Sequence, residues 1–417
     1  MRTVLLDAAI ARTDLSNGLV VVTERLSGVR SAAVGMWVRT ASGHESRDKM
    51  GVSHLLEHMV FKGTAKRSAH DIALALESRG GSLDAYTSRD QTSYQAHVLD
   101  RDLPLALDVL TDLVRAPLLR QADLELERNV VLEELSGVRY TPDDLVSELW
   151  GETLWPEHPY GYSILGTPES VAGLDTADLR ALHAGGYYPG NTVIAMAGNV
   201  EHVDVLGALG ALGWFAGEPR PPVAAVVPRP AAHGQVCTEP ADLQQVHAIL
   251  GTDTVAATDA RRWGLALIAT VLGGGMSSRL FQKVREELGL CYAVYAWQSC
   301  YRSAGTFGVY VGTSSRTAAQ AIEMIGDEFR RLSREGVSPA ELADGKGQLH
   351  GQVLLGLEST MSRMSRLASH ALNDEPYRSI DEVLRLIDGV TADTVAALAT
   401  EFLAPERMTT VRLGPVE

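Results

Sequence analysis

The spacing of hydrophobic residues divides the first half of the chain into groups of strands and helices. Short apolar runs predict strands over residues 19–25 and 31–40 and a further pair of strands within 80–99. Apolar residues three and four positions apart predict helices near 48–62, 68–79, 102–116, 120–138, 142–155 and 175–184. An apolar run over 191–200 predicts the strand that closes this half.

The second half of the chain repeats this order of elements. It begins with a predicted strand near 244–252 and ends with one near 408–414; between them lie predicted helices near 259–273 and 277–288, strands near 292–299 and 304–313, and helices near 315–333, 338–357, 360–371 and 391–402. Matching elements recur at an offset of about 210–216 residues, which indicates an internal duplication. The sequence therefore predicts an α+β fold of two homologous domains, each a largely antiparallel or mixed sheet with helices on one face.

A proline-rich stretch separates the two halves. Residues 217–234 contain five prolines and no helical period, as expected of an extended linker. We therefore predict an N-terminal domain over 1–216, a linker over 217–234 and a C-terminal domain over 235–417.

Composition narrows the classes of function. With 417 residues, 45% hydrophobic and 21% charged, the chain has the make-up of a globular protein. A net charge of −15 argues against nucleic-acid binding, which needs a basic surface. The chain has neither a run of about 18 apolar residues nor a secretory signal, so we expect a cytoplasmic protein without a membrane partner. Three unevenly spaced cysteines indicate reduced thiols rather than a disulfide framework.

Residues 54–58, with the sequence HLLEH, place three ionisable side chains in an apolar helical run. On a helix, His54, Glu57 and His58 fall within an arc of about 100°. Two imidazoles one turn apart can bind one Zn²⁺, and a glutamate beside them can accept a proton from water. H-x-x-E-H is the inverzincin signature. The bare pattern arises by chance in roughly one chain in fifty, so a core helix with incidental polar residues is the alternative.

The helix predicted near 120–138 carries two glutamates on its inward face. Glu127 and Glu134 lie two turns apart within its apolar arc, which Leu126 and Val130 extend. A buried carboxylate needs a cation or a hydrogen-bond network. Two of them in phase indicate a metal ligand and a residue that supports a ligand, with an internal ion-pair network as the alternative.

Together these residues resemble the pitrilysin-type (insulysin-like) metallopeptidases, which include the mitochondrial processing peptidase and its bacterial relatives. Family members carry H-x-x-E-H and a third zinc-ligand glutamate about 76 residues after the second histidine; Glu134 lies 76 residues after His58. The string ERNVVLEEL matches the family's second motif. The resemblance implies that His54, His58 and Glu134 hold one Zn²⁺ per chain, that Glu57 is the general base, and that Glu127 supports a ligand.

Two further stretches carry the resemblance. Family enzymes bring an arginine and a tyrosine, seven residues apart, from the second half to the active site, and Arg285 and Tyr292 have this spacing. On sequence alone, Arg285 is an ordinary helical surface charge. The resemblance also implies that Asp84, Ala85 and Tyr86 lie on an edge strand that pairs with an extended substrate. Relatives commonly have asparagine at the position of Asp84, and a strand-end turn residue is the alternative reading.

The combined features predict a zinc metalloendopeptidase that hydrolyses peptides or unfolded polypeptide segments in an enclosed chamber. Short family members usually pair, so the resemblance implies a homodimer. One alternative is an active subunit, similar to a processing peptidase, that needs a non-catalytic partner chain. The other is a peptide-binding or structural homologue.

Overall fold

The chain forms two compact units, and neither is continuous in sequence. The structure, a computed structural model, describes residues 1–227 and 230–415, so residues 228 and 229 of the predicted linker lie outside the described residues. The first unit contains Met1–Leu135, Ser163–Ala225 and Gly356–Tyr377. The second contains the described residues of Ser136–Tyr162, Val226–Leu355 and Arg378–Glu417. The boundaries predicted at 216 and 235 stay a prediction.

The strands follow the predicted order with additions at the start of each half. They are β1 (Arg2–Asp7), β2 (Ile10–Asp14), β3 (Val20–Arg25), β4 (Ser31–Val38), β5 (Ser82–Thr87), β6 (Thr92–Leu99), β7 (Thr192–Gly198), β8 (Val236–Pro240), β9 (Val246–Thr254), β10 (Cys291–Cys300), β11 (Gly305–Thr313) and β12 (Thr409–Gly414). Strands β1, β2 and β8 were not among the sequence predictions.

Most of the helices also lie close to their predicted positions, but three short ones, over 168–173, 202–211 and 380–388, were not predicted. The helices are α1 (Val52–Val60), α2 (Ala69–Glu77), α3 (Leu103–Arg115), α4 (Gln121–Arg139), α5 (Pro142–Leu154), α6 (Pro168–Gly173), α7 (Thr176–Gly186), α8 (His202–Ala211), α9 (Arg262–Gly273), α10 (Ser315–Glu335), α11 (Pro339–Gly356), α12 (Thr360–Leu372), α13 (Ile380–Asp388) and α14 (Ala392–Phe402). The helix predicted near 277–288 is a π-helical segment, Phe281–Glu287.

The first unit is built on a mixed sheet with strand order β1-β2-β3-β7-β4-β6-β5. Strands β3 and β7 pair in parallel, and the other described pairs are antiparallel. Alternate residues of β4 point to opposite faces. Val34 and Met36 join a core that includes Leu55 and Met59 of α1, which lies on that face.

A helix from the C-terminal half covers the opposite face of this sheet. Helix α12 packs on β3, β4 and β7, where Trp37 of β4 meets Met364 and Leu367. Arg39, only 5% exposed, donates hydrogen bonds to the carbonyl oxygens of Ala371 and Leu372 at the end of α12. The prediction of helices on one face is therefore incomplete, because the first sheet is covered on both faces.

The second unit has the corresponding arrangement. Its sheet has the order β10-β11-β9-β12-β8, with β12 and β8 parallel. Helices α9, α10 and α14 contribute to the core on one face, and α5 from the N-terminal half packs on β9 and β12. Trp150 of α5 donates its indole N–H to the carbonyl oxygen of Thr409 over 3.1 Å. The predicted two-domain α+β class with mixed sheets is confirmed.

One prediction about α4 is wrong. Leu126 is 66% exposed and Val130 is 43% exposed, so neither extends the buried arc. The buried residues of α4 are Leu124, Glu127, Val131 and Leu135. Glu134 therefore lies at the edge of the buried arc, whereas Glu127 lies inside it.

Two expectations from composition can be compared with the structure. Cys237, Cys291 and Cys300 are free cysteines, as predicted. Within residues 1–227 and 230–415, every helix is too short or too polar to cross a bilayer.

Candidate metal centre

Helix α1 is short, buried and anchored at its N-terminus. Its apolar side chains, among them Leu55 and Met59, are fully buried. The residue before it, Gly51, has a φ of +86°, and a Cβ there would lie 2.5 Å from a backbone oxygen, so glycine is required. The carboxylate of Glu45 accepts the N–H groups of Gly51 and Ser53, each over 2.8 Å. This cap fixes the helix that carries the H-x-x-E-H motif.

The two histidines of α1 lie side by side. The ring centroids of His54 and His58 are 4.6 Å apart, and their side chains are 13% and 19% exposed. Burial, with a smaller contribution from His58, lowers the pKa of His54 to about 4. His54 is therefore neutral at pH 7, the state in which an imidazole can bind a metal.

Helix α4 brings Glu134 to the same point. Its Oε2 lies 3.7 Å from His54 Nε2 and 3.6 Å from His58 Nε2, and one ligand atom from each of the three residues falls within 4.8 Å of the others. These separations exceed hydrogen-bond length. They are close to the spacing of about 3.4 Å between two ligand atoms at 2.0–2.2 Å from one tetrahedral zinc ion. The three residues thus fit a zinc ion.

Glu127 is more deeply buried than Glu134 and contacts His58. Its side chain is 7% exposed, and its Oε2 lies 3.2 Å from His58 Nδ1. Its other oxygen lies 2.5 Å from the Nζ of Lys62. A carboxylate on the second nitrogen of a metal-ligating histidine fixes the orientation of the ring. The sequence reasoning missed Lys62, although it lies four residues after His58 in the same motif-bearing segment.

Glu57 points toward β5 rather than into solvent. It is 9% exposed, and burial raises the pKa of its carboxyl group. The hydroxyl of Thr87, the last residue of β5, donates a hydrogen bond of 2.5 Å to Glu57 Oε2. Thr87 was not among the predicted site residues.

The predicted substrate-binding residues lie on an edge strand. Strand β5 is at the end of the first sheet, and its exposed positions include Asp84 and Tyr86, while Ala85 packs against the core. The Tyr86 hydroxyl accepts the indole N–H of Trp37 over 3.1 Å. The free edge of β5 offers backbone groups to an added strand; substrate binding there stays a prediction.

Arg285 and Tyr292 lie on the second unit and contact each other. The guanidinium carbon of Arg285 is 5.6 Å from the ring centre of Tyr292 and 4.5 Å from that of Phe281. Tyr292 is 75% exposed and lies where the β10–β11 register shifts. Such irregularities re-aim side chains. The catalytic role of this pair stays a prediction.

Comparison with known proteins matches a different family model to each half of the chain. The family described as Insulinase (Peptidase family M16) matches residues 20–168, and the Peptidase M16 inactive domain matches residues 173–349. An uncharacterized zinc protease of Streptomyces coelicolor is 38% identical over 98% of this chain and 90% of its own length. The chain belongs to peptidase family M16. The predicted resemblance to pitrilysin-type metallopeptidases is confirmed.

Other relatives of this M16 chain carry similar names. An uncharacterized zinc protease of Mycobacterium tuberculosis is 40% identical over 98% of this chain and 94% of its own length. One of Bacillus subtilis is 36% identical over 95% of this chain and 96% of its own length. A peptidase M16 inactive domain from Pseudomonas fluorescens has a TM-score of 0.90 at 22% identity, covering 98% of both chains. A protease from Helicobacter pylori has a TM-score of 0.90 at 21% identity, covering 97% of this chain and 99% of its own. These structures share the fold.

Proposed function

We propose that this M16 chain is a zinc-dependent endopeptidase that hydrolyses peptides or unfolded polypeptide segments. The observation that carries the proposal is the convergence of His54, His58 and Glu134 beside the buried carboxyl group of Glu57. Catalytic zinc takes three protein ligands and keeps one position for water or substrate. A histidine-histidine-glutamate set with an adjacent carboxyl group has the composition that this chemistry needs.

His54, His58 and Glu134 would hold one zinc ion per chain. Zinc supplies Lewis acidity, which lowers the pKa of a bound water and polarises a peptide carbonyl. Glu127 holds the His58 ring through Nδ1, and Lys62 balances the charge of Glu127 in its buried position.

Glu57 would act as general base and then as general acid. Its pKa is raised by burial, which brings the carboxyl group closer to the pH at which it can both accept and release a proton. It would take a proton from the attacking water and deliver it to the departing amine of the cleaved peptide.

The remaining predicted residues would bind the substrate. An extended peptide would pair with the free edge of β5 near Asp84, Ala85 and Tyr86 through main-chain hydrogen bonds. Arg285 and Tyr292 would donate hydrogen bonds to a substrate carbonyl and to the oxyanion that forms on hydrolysis. A homodimer that encloses a chamber in the cytoplasm would restrict access to unfolded chains.

Replacement of Glu57 by glutamine tests the proposal. Glu57→Gln should retain zinc and lose most turnover of a quenched peptide, because general-base assistance contributes about 10²–10⁴-fold to such rates. Glu77→Gln, an exposed residue at the end of α2, is the matched control and should keep the wild-type rate. Equal turnover by Glu57→Gln and the wild type would show that the assignment is wrong.

Size-exclusion chromatography with a peptidase assay on each fraction separates the alternatives. An active dimer peak supports the self-sufficient homodimer. Activity that appears only after a second protein is added supports a processing-peptidase-like subunit. A zinc-loaded wild type that binds peptides and cleaves none is a peptide-binding homologue.

A further inference from the structure

The hydrogen bond between Thr87 and Glu57 defines one orientation of the Glu57 carboxyl group. The terminal torsion of a glutamate is broad, so the side chain of an unrestrained Glu57 would sample many orientations. The Thr87 hydroxyl donates a hydrogen bond of 2.5 Å to Oε2 of Glu57 and does not engage Oε1. We propose that Thr87 is a positioning residue that holds the Glu57 carboxyl group in the orientation required for proton transfer. The inference rests on the proposed peptidase function.

The backbone of Thr87 is itself held in place. Thr87 pairs with Thr92 in the β5–β6 ladder, at the point where the chain turns. Within the turn, the N–H of Ser88 donates to the carbonyl oxygen of Gln91 over 2.9 Å. The Ser88 carbonyl oxygen accepts the Ser42 hydroxyl over 3.0 Å, which ties the turn to the segment that precedes α1. A hydroxyl on such a supported strand end can hold a partner in a defined place.

The distance between β5 and α1 is fixed by packing. Leu83 and Ala85, which share a face of β5 with Thr87, pack against the core that contains Leu55 and Met59 of α1. Threonine is also stiff about χ1 because it is branched at Cβ. The two ends of the hydrogen bond therefore belong to rigid elements, and the hydroxyl is the group that links strand position to carboxyl orientation.

Three variants test this assignment. Thr87→Val keeps the shape and the branching and removes the hydroxyl; Thr87→Ser keeps the hydroxyl. Thr238→Val makes the same chemical change at an exposed position of β8 and serves as the control. For each purified zinc-loaded protein, kcat and KM for a quenched peptide, zinc content and unfolding temperature are measured. Thr87→Ala replaces Thr87→Val if the latter unfolds more than a few degrees below the wild type.

A positioning role predicts a specific pattern. Thr87→Val should lower kcat by about 10–100-fold, the loss expected of a misplaced catalytic group, and leave KM within about twofold. Thr87→Ser and Thr238→Val should stay near the wild-type kcat, and all variants should keep the wild-type zinc content. In the Glu57→Gln background, Thr87→Val should cause no further loss, because residues that act as one unit are not additive.

Three results would overturn the assignment while leaving the peptidase function intact. They are a Thr87→Val kcat within twofold of the wild type, a Thr87→Ser loss as large as that of Thr87→Val, and a full additional loss in the Glu57→Gln background. A wild type that shows no turnover in any fraction would instead overturn the proposed function, and this inference with it.

Discussion

Removal of Glu127 tests whether its contact with His58 supports metal binding. The Glu127 side chain is 7% exposed and lies 3.2 Å from His58 Nδ1 and 2.5 Å from Lys62 Nζ. Glu127→Ala removes the acceptor that orients the His58 ring and leaves Lys62 beside a cavity. Outer partners of ligating histidines typically contribute 10–100-fold to metal affinity. We therefore expect the Kd for zinc to rise by about 10–100-fold, which corresponds to about 1.4–2.8 kcal/mol.

Comparison of Glu127→Gln with Glu127→Ala separates the effect of His58 ring orientation from that of the negative charge of Glu127. Glu127→Gln keeps an oxygen that can accept from His58 Nδ1 and removes the negative charge. We expect its zinc affinity to lie between those of the wild type and Glu127→Ala. Glu125→Ala, an exposed residue on the same helix, should bind zinc like the wild type. Competition with a chromophoric chelator gives the affinities without any use of peptidase activity.

Two outcomes would refute or change the role proposed for Glu127. A Glu127→Ala affinity within twofold of the wild type would refute the supporting role of this residue. Equal losses in Glu127→Gln and Glu127→Ala would show that the negative charge, rather than the orientation of the ring, determines the affinity.

Three further predictions concern stability. Addition of zinc to the metal-free protein should raise the unfolding temperature in calorimetry, because a site formed by α1 and α4 exists only in the folded state; an unchanged temperature would contradict the site. Burial raises the pKa of Glu45 from 4.5 to about 7, so the folded state binds the proton more tightly, and the free energy of unfolding should fall as pH rises from about 4.5 through 7. Between pH 5 and pH 8, the free energy of unfolding measured with urea should fall less in Glu45→Gln than in the wild type. An equal fall in the two proteins would contradict this prediction. Arg39→Met should lower the free energy of unfolding, measured with urea, by about 3 kcal/mol, because the carbonyl groups that end α12 lose a charged donor. Arg2→Met, which changes an exposed arginine, is the control and should change this free energy little.

The placement of the residues proposed to bind the metal could be predicted from sequence because each lies in a local helical pattern, whereas the choice of Glu134 as the third ligand came from the family resemblance. The spacing of His54 and His58 places both on one face of α1, and the phase of Glu127 and Glu134 places them on one side of α4. The exposure of Leu126 was mispredicted because helical phase shows which residues share a face but not where the buried arc ends.

The supporting contacts could not be predicted in the same way. Lys62 meets Glu127, and Thr87 meets Glu57, across 65 and 30 positions of the chain. Neither pair has a periodic relation, and a lysine or a threonine near a motif is common on protein surfaces. These contacts depend on how α1, α4 and β5 pack, which a pattern along one element does not specify.

The exchange of helices between the halves was missed for a related reason. The apolar faces of α5 and α12 predict that each helix packs on something, but they do not specify which sheet. One signal was present: every residue of β7 and β11 is buried, and such strands lack the alternation of a sheet with one exposed face. Strands of this kind require cover on both faces, which α12 supplies for β7 and the cluster around Trp150 of α5 supplies for β11.

The spacing of the three proposed ligand atoms is the strongest physical argument for a cation site in the first unit. Two atoms beside the proposed ligands have partners: His58 Nδ1 meets Glu127, and Glu57 Oε2 accepts from Thr87. The Nε2 atoms of His54 and His58 instead face Glu134 Oε2 at 3.6–3.7 Å, too far for a hydrogen bond. Ligand atoms about 3.4 Å apart are expected around one tetrahedral zinc ion. The spacing therefore favours the proposed metal site over a directly hydrogen-bonded ion-pair network.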